Sequence, residues 1–239
     1  MKVIILAGGK GTRGKPYTEF FPKAMTPIKG KPALEYIIKY LQKFAIIDEI
    51  IILTDLKGLG GQIKNYFENF KKISFVQDSG KGTGGDLLHI EKALSGETEF
   101  MLWFSDNLCA INVKEMRDNF KKSNSIAEIA TRSKRKEETG FAVVENGIIK
   151  EFREKPEIKL PLEECLGVYI LSNEIFKIIG KKRIKKQINL SYDILQPLSK
   201  KGNVSAYNIG DKQWLDVESP VIVERNEKTV LEIIKQMGF

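Results

Sequence analysis

The sequence predicts an α/β fold, a mainly parallel sheet flanked by helices and followed by an antiparallel insertion. Three observations lead there. Short apolar runs alternate with amphipathic segments through the first half, Gly and Pro punctuate the joints, and the second half shifts to paired strands around Glu145-Asn146-Gly147. In 239 residues no linker rich in Pro, Gly or Ser divides the chain, so one domain over 1–239 is expected.

The first element is the apolar run Val3 to Ala7, a buried strand that empties into a loop with glycines at 8, 9, 11 and 14. Pro16, Pro22 and Pro27 then keep the chain irregular until about Lys31. A helix follows from Pro32 to Phe44, with Pro32 in its first turn, then a strand over Glu49–Leu53 and a helix near Leu59–Phe70 behind Gly58. Strand Ile73–Val76, a helix near Gly85–Leu94 and strand Glu99–Phe104 continue the alternation, the mark of right-handed βαβ units. Beyond them Phe141–Val144 and Ile148–Phe152 flank a hairpin turn, and Cys165–Leu171 reads as a further strand. Together these look like an insertion that caps the first half. Helices around Asn173–Ile179 and Ser191–Leu198, strands Val204–Asn208 and Trp214–Val217, and a last helix from about Pro220 to Met237 complete the reading.

The glycine loop also carries Lys10, Arg13 and Lys15, and that composition suits phosphate. Glycines let backbone N–H groups converge on an anion, and the cations add charge-assisted hydrogen bonds. Gly9 to Gly14 does match the G-x-G-x-x-G spacing of a dinucleotide loop, but such a loop enters its helix at once and this one does not. No Gly-Lys-Ser/Thr closes a Walker loop. Ligands of a parallel sheet sit where strands end, which would gather this loop, Gln77–Gly85 and Ser105-Asp106-Asn107 around one crevice.

The blocks Leu6-Ala-Gly-Gly-Lys-Gly-Thr-Arg13, Pro16-Tyr-Thr18, Pro22-Lys-Ala-Met-Thr-Pro-Ile28 and Gly30-Lys-Pro32 resemble, in order, the signature of the sugar-1-phosphate nucleotidyltransferases. That resemblance implies a Rossmann-like domain with a sugar-binding insertion, in the short form, since no hexapeptide repeat of the β-helix that some relatives carry is present. It implies transfer of a nucleotidyl group from a nucleoside triphosphate to a sugar-1-phosphate, with release of pyrophosphate. By the same resemblance Arg13 grips the β- and γ-phosphates, while Lys23 reaches the α-phosphate and stabilises charge as the bond to pyrophosphate breaks. Lys15 stands near the family's second loop arginine. Asp106, with Ser105 in place of the usual glycine, and Asp216, in Trp214-Leu-Asp-Val-Glu-Ser-Pro220, match the two ligands of a Mg²⁺ cofactor. Either aspartate alone would read equally as a helix cap.

On the sugar side the resemblance assigns Gly140, Glu154, Lys155 and Gly167, with Asp193 as a further acidic position. Glu154 would accept sugar hydroxyls, and Lys155 would bind the sugar phosphate. Nucleotide binding falls to Leu6, Ala7, Gly8, Gly9, Gly11, Thr12 and Arg13, with Gln77, Gly82 and Thr83 at the base. A glutamine amide can donate to one pyrimidine atom and accept from another, which favours UTP or dTTP. However, Gly82-Thr83-Gly84-Gly85-Asp86 also resembles loops of cytidylyl- and guanylyltransferases.

Bulk properties narrow the class. The net charge of +8 comes from scattered pairs such as Lys71-Lys72 and Lys200-Lys201, and the basic stretches Arg132 to Lys136 and Lys181 to Lys186 lack interleaved aromatics. No nucleic-acid partner is expected. No apolar run reaches membrane-spanning length, so no membrane partner is expected and the location reads as cytoplasmic. Cys109 and Cys165 read as free thiols, and the single His89 as a packing or surface residue. Assembly into a homo-oligomer stays open. Two other functions also stay open, a cytidylyl- or guanylyltransferase acting on a sugar or non-sugar phosphate, and a non-catalytic subunit that binds nucleotide sugar.

Overall fold

The computed structural model describes residues 1–9 and 11–239. Lys10, one of the three cations assigned to the glycine loop, lies outside the described residues. The first half runs β1 (Lys2–Leu6), β2 (Pro27–Ile28), β3 (Lys31–Pro32), α1 (Ala33–Leu41), β4 (Glu49–Thr54), α2 (Gly61–Phe67), β5 (Ile73–Gln77), α3 (Gly82–His89), β6 (Glu99–Phe104), β7 (Asn107–Cys109) and α4 (Val113–Ser123). Then follow β8 (Ala127–Lys136), β9 (Phe141–Glu145), β10 (Ile148–Arg153), β11 (Glu157–Ser172), α5 (Ile175–Gly180), α6 (Gln196–Ser199), β12 (Val204–Asn208), β13 (Trp214–Asp216), α7 (Pro220–Arg225) and α8 (Glu227–Gln236).

Seven strands form one sheet in the order β12-β8-β11-β6-β1-β4-β5. Strand β1 runs parallel to β4 and β6, β4 to β5 and β12 to β8, while β11 is antiparallel to both its neighbours. The centre is buried on both faces, which is why β1 is apolar from Val3 to Leu6: Val3 and Ile5 join the cluster under α1 and α8, and Ile4 joins the one under α3 and α5.

Three expectations change. Strand β8 was not foreseen, because its outer half, Arg132 to Lys136, is basic; its charges are matched across β11 by Arg132–Glu164 at 2.8 Å and Lys134–Glu157 at 3.1 Å. The hairpin β9–β10 forms as expected, with Asn146 and Gly147 at φ 51° and 77°, the left-handed pair that a tight hairpin turn needs. It does not cap the first half, since every residue from Glu138 to Lys155 is exposed. The last helix is broken at Asn226 into α7 and α8, and a π-helical turn over Leu190–Leu195 replaces the start of the helix placed at Ser191.

Candidate active site

Strands β1, β4, β5 and β6 end at one edge of the sheet. Leu6 pairs with Phe104 and with Leu53, and one more rung follows on each side: Ser105 N–H donates to the Leu6 carbonyl at 3.1 Å and Ala7 N–H to that of Leu53 at 2.8 Å. The glycine loop and the 105–107 segment therefore leave the sheet side by side. Between them opens a cleft, partly open to solvent, lined by Leu6, Ala7, Gly9, Gly11, Thr12, Arg13, Gly14, Lys23, Thr83, Phe104, Ser105 and Asp106. Gly11 turns the loop at φ 58°, and a side chain at Gly14 would run into the Glu218 backbone.

Two aspartates far apart in sequence meet here because β7 pairs antiparallel with β13, setting Asn107 opposite Asp216. Lys23, from the turn Lys23–Met25, bridges them, with Nζ 2.6 Å from Asp106 Oδ2 and 2.8 Å from Asp216 Oδ1. Burial works against the Lys23 charge, yet the two carboxylates together hold its pKa above the ordinary value. Asp216 shifts upward too: burial pushes it up, Lys23 opposes, and Glu218 adds repulsion. Arg13 pairs with Glu218 and reaches to 3.8 Å from Asp216. Cations and carboxylates thus face one another across the cleft.

Asn107 fixes this group from behind. Its Nδ2 donates to Asp106 Oδ1 at 2.6 Å, while its Oδ1 accepts from Trp214 Nε1 at 2.9 Å and Gly167 N–H at 3.2 Å. Gly167 is required there, because a Cβ would strike the Asn107 side chain. The sequence reading did not single out Asn107, Trp214 or Glu218 as site residues; the block Trp214 to Pro220 was the signal that carried the last two.

The remaining expected residues fall elsewhere. Gly8 lines an adjoining recess with Thr54 and Asp55, and its Cα lies against the Asp78 carboxylate. Thr83 lines the main cleft, and its Oγ1 accepts the Leu190 N–H at 2.9 Å. Gly82, at φ 78°, packs on the Ile188 backbone. Gln77 ends β5 opposite Thr54, and both of its amide N–H groups are committed, to Asp55 at 3.2 Å and Asp78 at 3.1 Å. Gly140, Glu154 and Lys155 lie on the exposed hairpin segment and do not line the cleft. Asp193 is paired with Lys185 and accepts the Asn189 N–H at 2.8 Å; those contacts hold its carboxyl below the usual range. Lys15 pairs with Glu19 at 3.0 Å. Among the described residues no group of three or more His, Cys, Asp and Glu side chains is placed to hold a metal. No helix of the described residues is long and apolar enough to cross a membrane.

The chain is similar to known proteins. The chain is 31% identical over 228 residues to the bifunctional sugar-1-phosphate nucleotidylyltransferase/acetyltransferase of Sulfurisphaera tokodaii, covering 92% of this chain and 53% of that one. It is 27% identical over 241 residues to a UTP–glucose-1-phosphate uridylyltransferase of Synechocystis, covering 91% and 60%. It thus spans little more than half the length of these curated relatives. Among solved structures, HddC from Yersinia pseudotuberculosis, complexed with GMP-PN, superposes with a TM-score of 0.69 over 97% of this chain and 98% of that one; at 22% identity this is a likeness of fold. A family model described as nucleotidyl transferase matches residues 2–221, so the chain belongs to the nucleotidyl transferase family.

Proposed function

We propose that residues 1–239 act as one domain that transfers a nucleotidyl group from a nucleoside triphosphate to a sugar-1-phosphate in the presence of Mg²⁺. The observation that carries this reading is the Asp106–Lys23–Asp216 bridge at the foot of the glycine loop. Two carboxylates already arranged around a cation suit a hard divalent ion, and the oxygen donors fit magnesium. Asp106 and Asp216 would hold that ion, which would supply charge neutralisation at the phosphates when bound.

The chain's own residues do the rest. Arg13, 72% exposed beside Glu218, is free enough to turn to the β- and γ-phosphates. Lys23 exchanges its carboxylates for the α-phosphate and stabilises the charge that grows as the α-phosphorus to oxygen bond breaks. A sugar phosphate oxygen forms the new bond to that phosphorus, and the electron pair of the old bond leaves with pyrophosphate. No general base is needed, because the nucleophile is already an anion. Glu154 and Lys155 contact the sugar phosphate once the exposed segment that bears them folds over the cleft, with Gly140 leaving room beside Glu154. Gly167, whose N–H donates to Asn107 Oδ1, is the further glycine on the sugar side. The expectation of UTP or dTTP needs both halves of the Gln77 amide, and its N–H groups are engaged with Asp55 and Asp78.

The test is pyrophosphate release with each common nucleoside triphosphate against several sugar-1-phosphates, with and without Mg²⁺. Release that needs both substrates and the metal, and that is lost in Asp106→Ala and Asp216→Ala, supports the reading. No release in any combination, with nucleotide sugar still bound, would replace it with a binding role.

A further inference from the structure

The basic stretch of β8 begins at Arg132, and that residue reaches the two cleft aspartates from behind. Its side chain is 13% exposed, and its Nε and Nη2 both donate to Glu164 Oε2 on β11, each at 2.8 Å, which fixes the plane of the guanidinium. The guanidinium lies 4.6 Å from the centre of the Trp214 ring, within reach of a cation–π contact, and its Nη1 donates to the Trp214 carbonyl at 3.4 Å. Trp214 is therefore gripped by its ring and by its backbone.

Each grip leads to an aspartate. Along the backbone, Trp214 stands two residues before Asp216 on β13, so the two side chains share a face of that strand. The ribbon β7–β13 is three residues long and gives little register of its own, so a contact from outside at Trp214 helps decide where Asp216 points. Through the ring, Trp214 Nε1 donates to Asn107 Oδ1 at 2.9 Å, which turns the amide so that its Nδ2 meets Asp106 Oδ1 at 2.6 Å. A loosened ring would release that amide, and a flipped amide would set its oxygen against the Asp106 carboxylate. Gly167 N–H, the other donor to Asn107 Oδ1, stands farther off at 3.2 Å.

Resting on the nucleotidyl-transfer reading, we infer that Arg132 is a positioning residue for that reaction: by clamping Trp214 it aims Asp106 and Asp216 at one cation. Arg132 does not line the cleft and acts through Trp214. Groups that stand behind metal-binding side chains set their direction, and removing one typically costs about 10–100-fold in metal affinity or activity. A lysine ammonium has no planar fork with which to meet Glu164, the ring and the carbonyl together, so lysine can replace only part of this role.

The test compares Arg132→Met, Arg132→Lys and Glu164→Gln with the wild type, after thermal unfolding has shown each to be folded. The chain has two tryptophans, and both indole N–H groups bond to Asn107, Trp103 to its carbonyl at 2.8 Å and Trp214 to its side chain. Nitrogen-15 NMR reads the exchange of each with solvent separately. In Arg132→Met the Trp214 N–H should exchange about tenfold faster with Trp103 unchanged, and the Mn²⁺ dissociation constant, read from the electron paramagnetic resonance of the free ion, should rise about tenfold. In the same variant kcat should fall about tenfold while both KM values stay within about twofold. Arg132→Lys, which returns a cation to the ring, should fall between Arg132→Met and the wild type. Glu164→Gln keeps an oxygen for the guanidinium while removing the charge pair between β8 and β11, and should stay within about threefold of the wild type. Unchanged Trp214 exchange or Mn²⁺ affinity in Arg132→Met, an Arg132→Lys no better than Arg132→Met, equal losses in Glu164→Gln, or a wild type that takes up no Mn²⁺ would overturn the inference. A wild type that binds Mn²⁺ without releasing pyrophosphate would count against the nucleotidyl-transfer reading, while the exchange rate and the Mn²⁺ affinity would still decide whether Arg132 aims the two aspartates.

Discussion

Replacing Lys23 by methionine removes the ammonium but keeps most of the stem. Each of the two charge-assisted hydrogen bonds is worth roughly 1.5–3 kcal/mol when well shielded. The side chains are 13%, 23% and 27% exposed for Lys23, Asp106 and Asp216, and removing the ammonium also recovers its desolvation cost, so a net loss of about 2 kcal/mol is expected. The variant is left with two facing carboxylates and no counter-charge. A divalent cation that must displace Lys23 in the wild type bears that cost, so the variant should bind it about 30-fold more tightly. At a Mg²⁺ concentration about ten times the variant's dissociation constant, linkage adds about 1.4 kcal/mol to the variant and only about 0.2 kcal/mol to the wild type. Urea unfolding with and without MgCl₂ measures both. Equal stabilisation of the two proteins, or none of the variant, would refute a cation site built on Asp106 and Asp216.

Asn107→Ala strips Asp106, Trp214 and Gly167 of a common partner and should cost about 2–3 kcal/mol in urea unfolding while lowering kcat more than it raises KM, since Asp106 loses its orientation; an unchanged kcat would show that Asn107 does not position it. Lys155→Ala should raise KM for the sugar phosphate and leave the melting temperature alone, its side chain being exposed; a raised KM for the triphosphate instead would reverse the orientation assigned to the cleft. Glu128 is fully buried, accepts from Asn119 and Ser205 through Oε1, and has no partner for Oε2, so burial lifts its pKa above the ordinary value. Because the folded pKa is the higher one, the ionised form is penalised above it and the penalty fades as pH falls to the unfolded value near 4.5. Glu128→Gln should therefore stabilise the protein by about 1 kcal/mol at neutral pH and by nothing in acid; a destabilised variant at neutral pH would show that the charge is compensated.

What the sequence made legible is whatever depends on local pattern. The apolar run before Gly8, the strand and helix alternation and the Asn146-Gly147 turn each depend on neighbours in sequence, and all of them stand in the fold. Strand β8 was hidden because charge, not apolar alternation, matches its outer half to β11. The meeting of Asp106 with Asp216 was inferred through the family resemblance; its physical cause is the three-residue ribbon β7–β13, too short to leave a periodic signal. The engagement of Gln77 could not be read either, since it follows from the register between β4 and β5, which places two carboxylates on either side of one amide. In each case the missing information is a long-range pairing, and the residue types alone do not encode it.

The central claim is a chemical one, that this cleft joins a nucleotide's α-phosphorus to a sugar phosphate. Phosphorus NMR of the protein with each common nucleoside triphosphate in turn, glucose-1-phosphate or another sugar-1-phosphate, and Mg²⁺ tests it most directly, because each product has its own signal. The account predicts a coupled pair of diphosphate resonances from a nucleotide sugar, growing in step with free pyrophosphate. Appearance of inorganic phosphate and a nucleoside diphosphate, with the sugar phosphate signal unchanged, would contradict it.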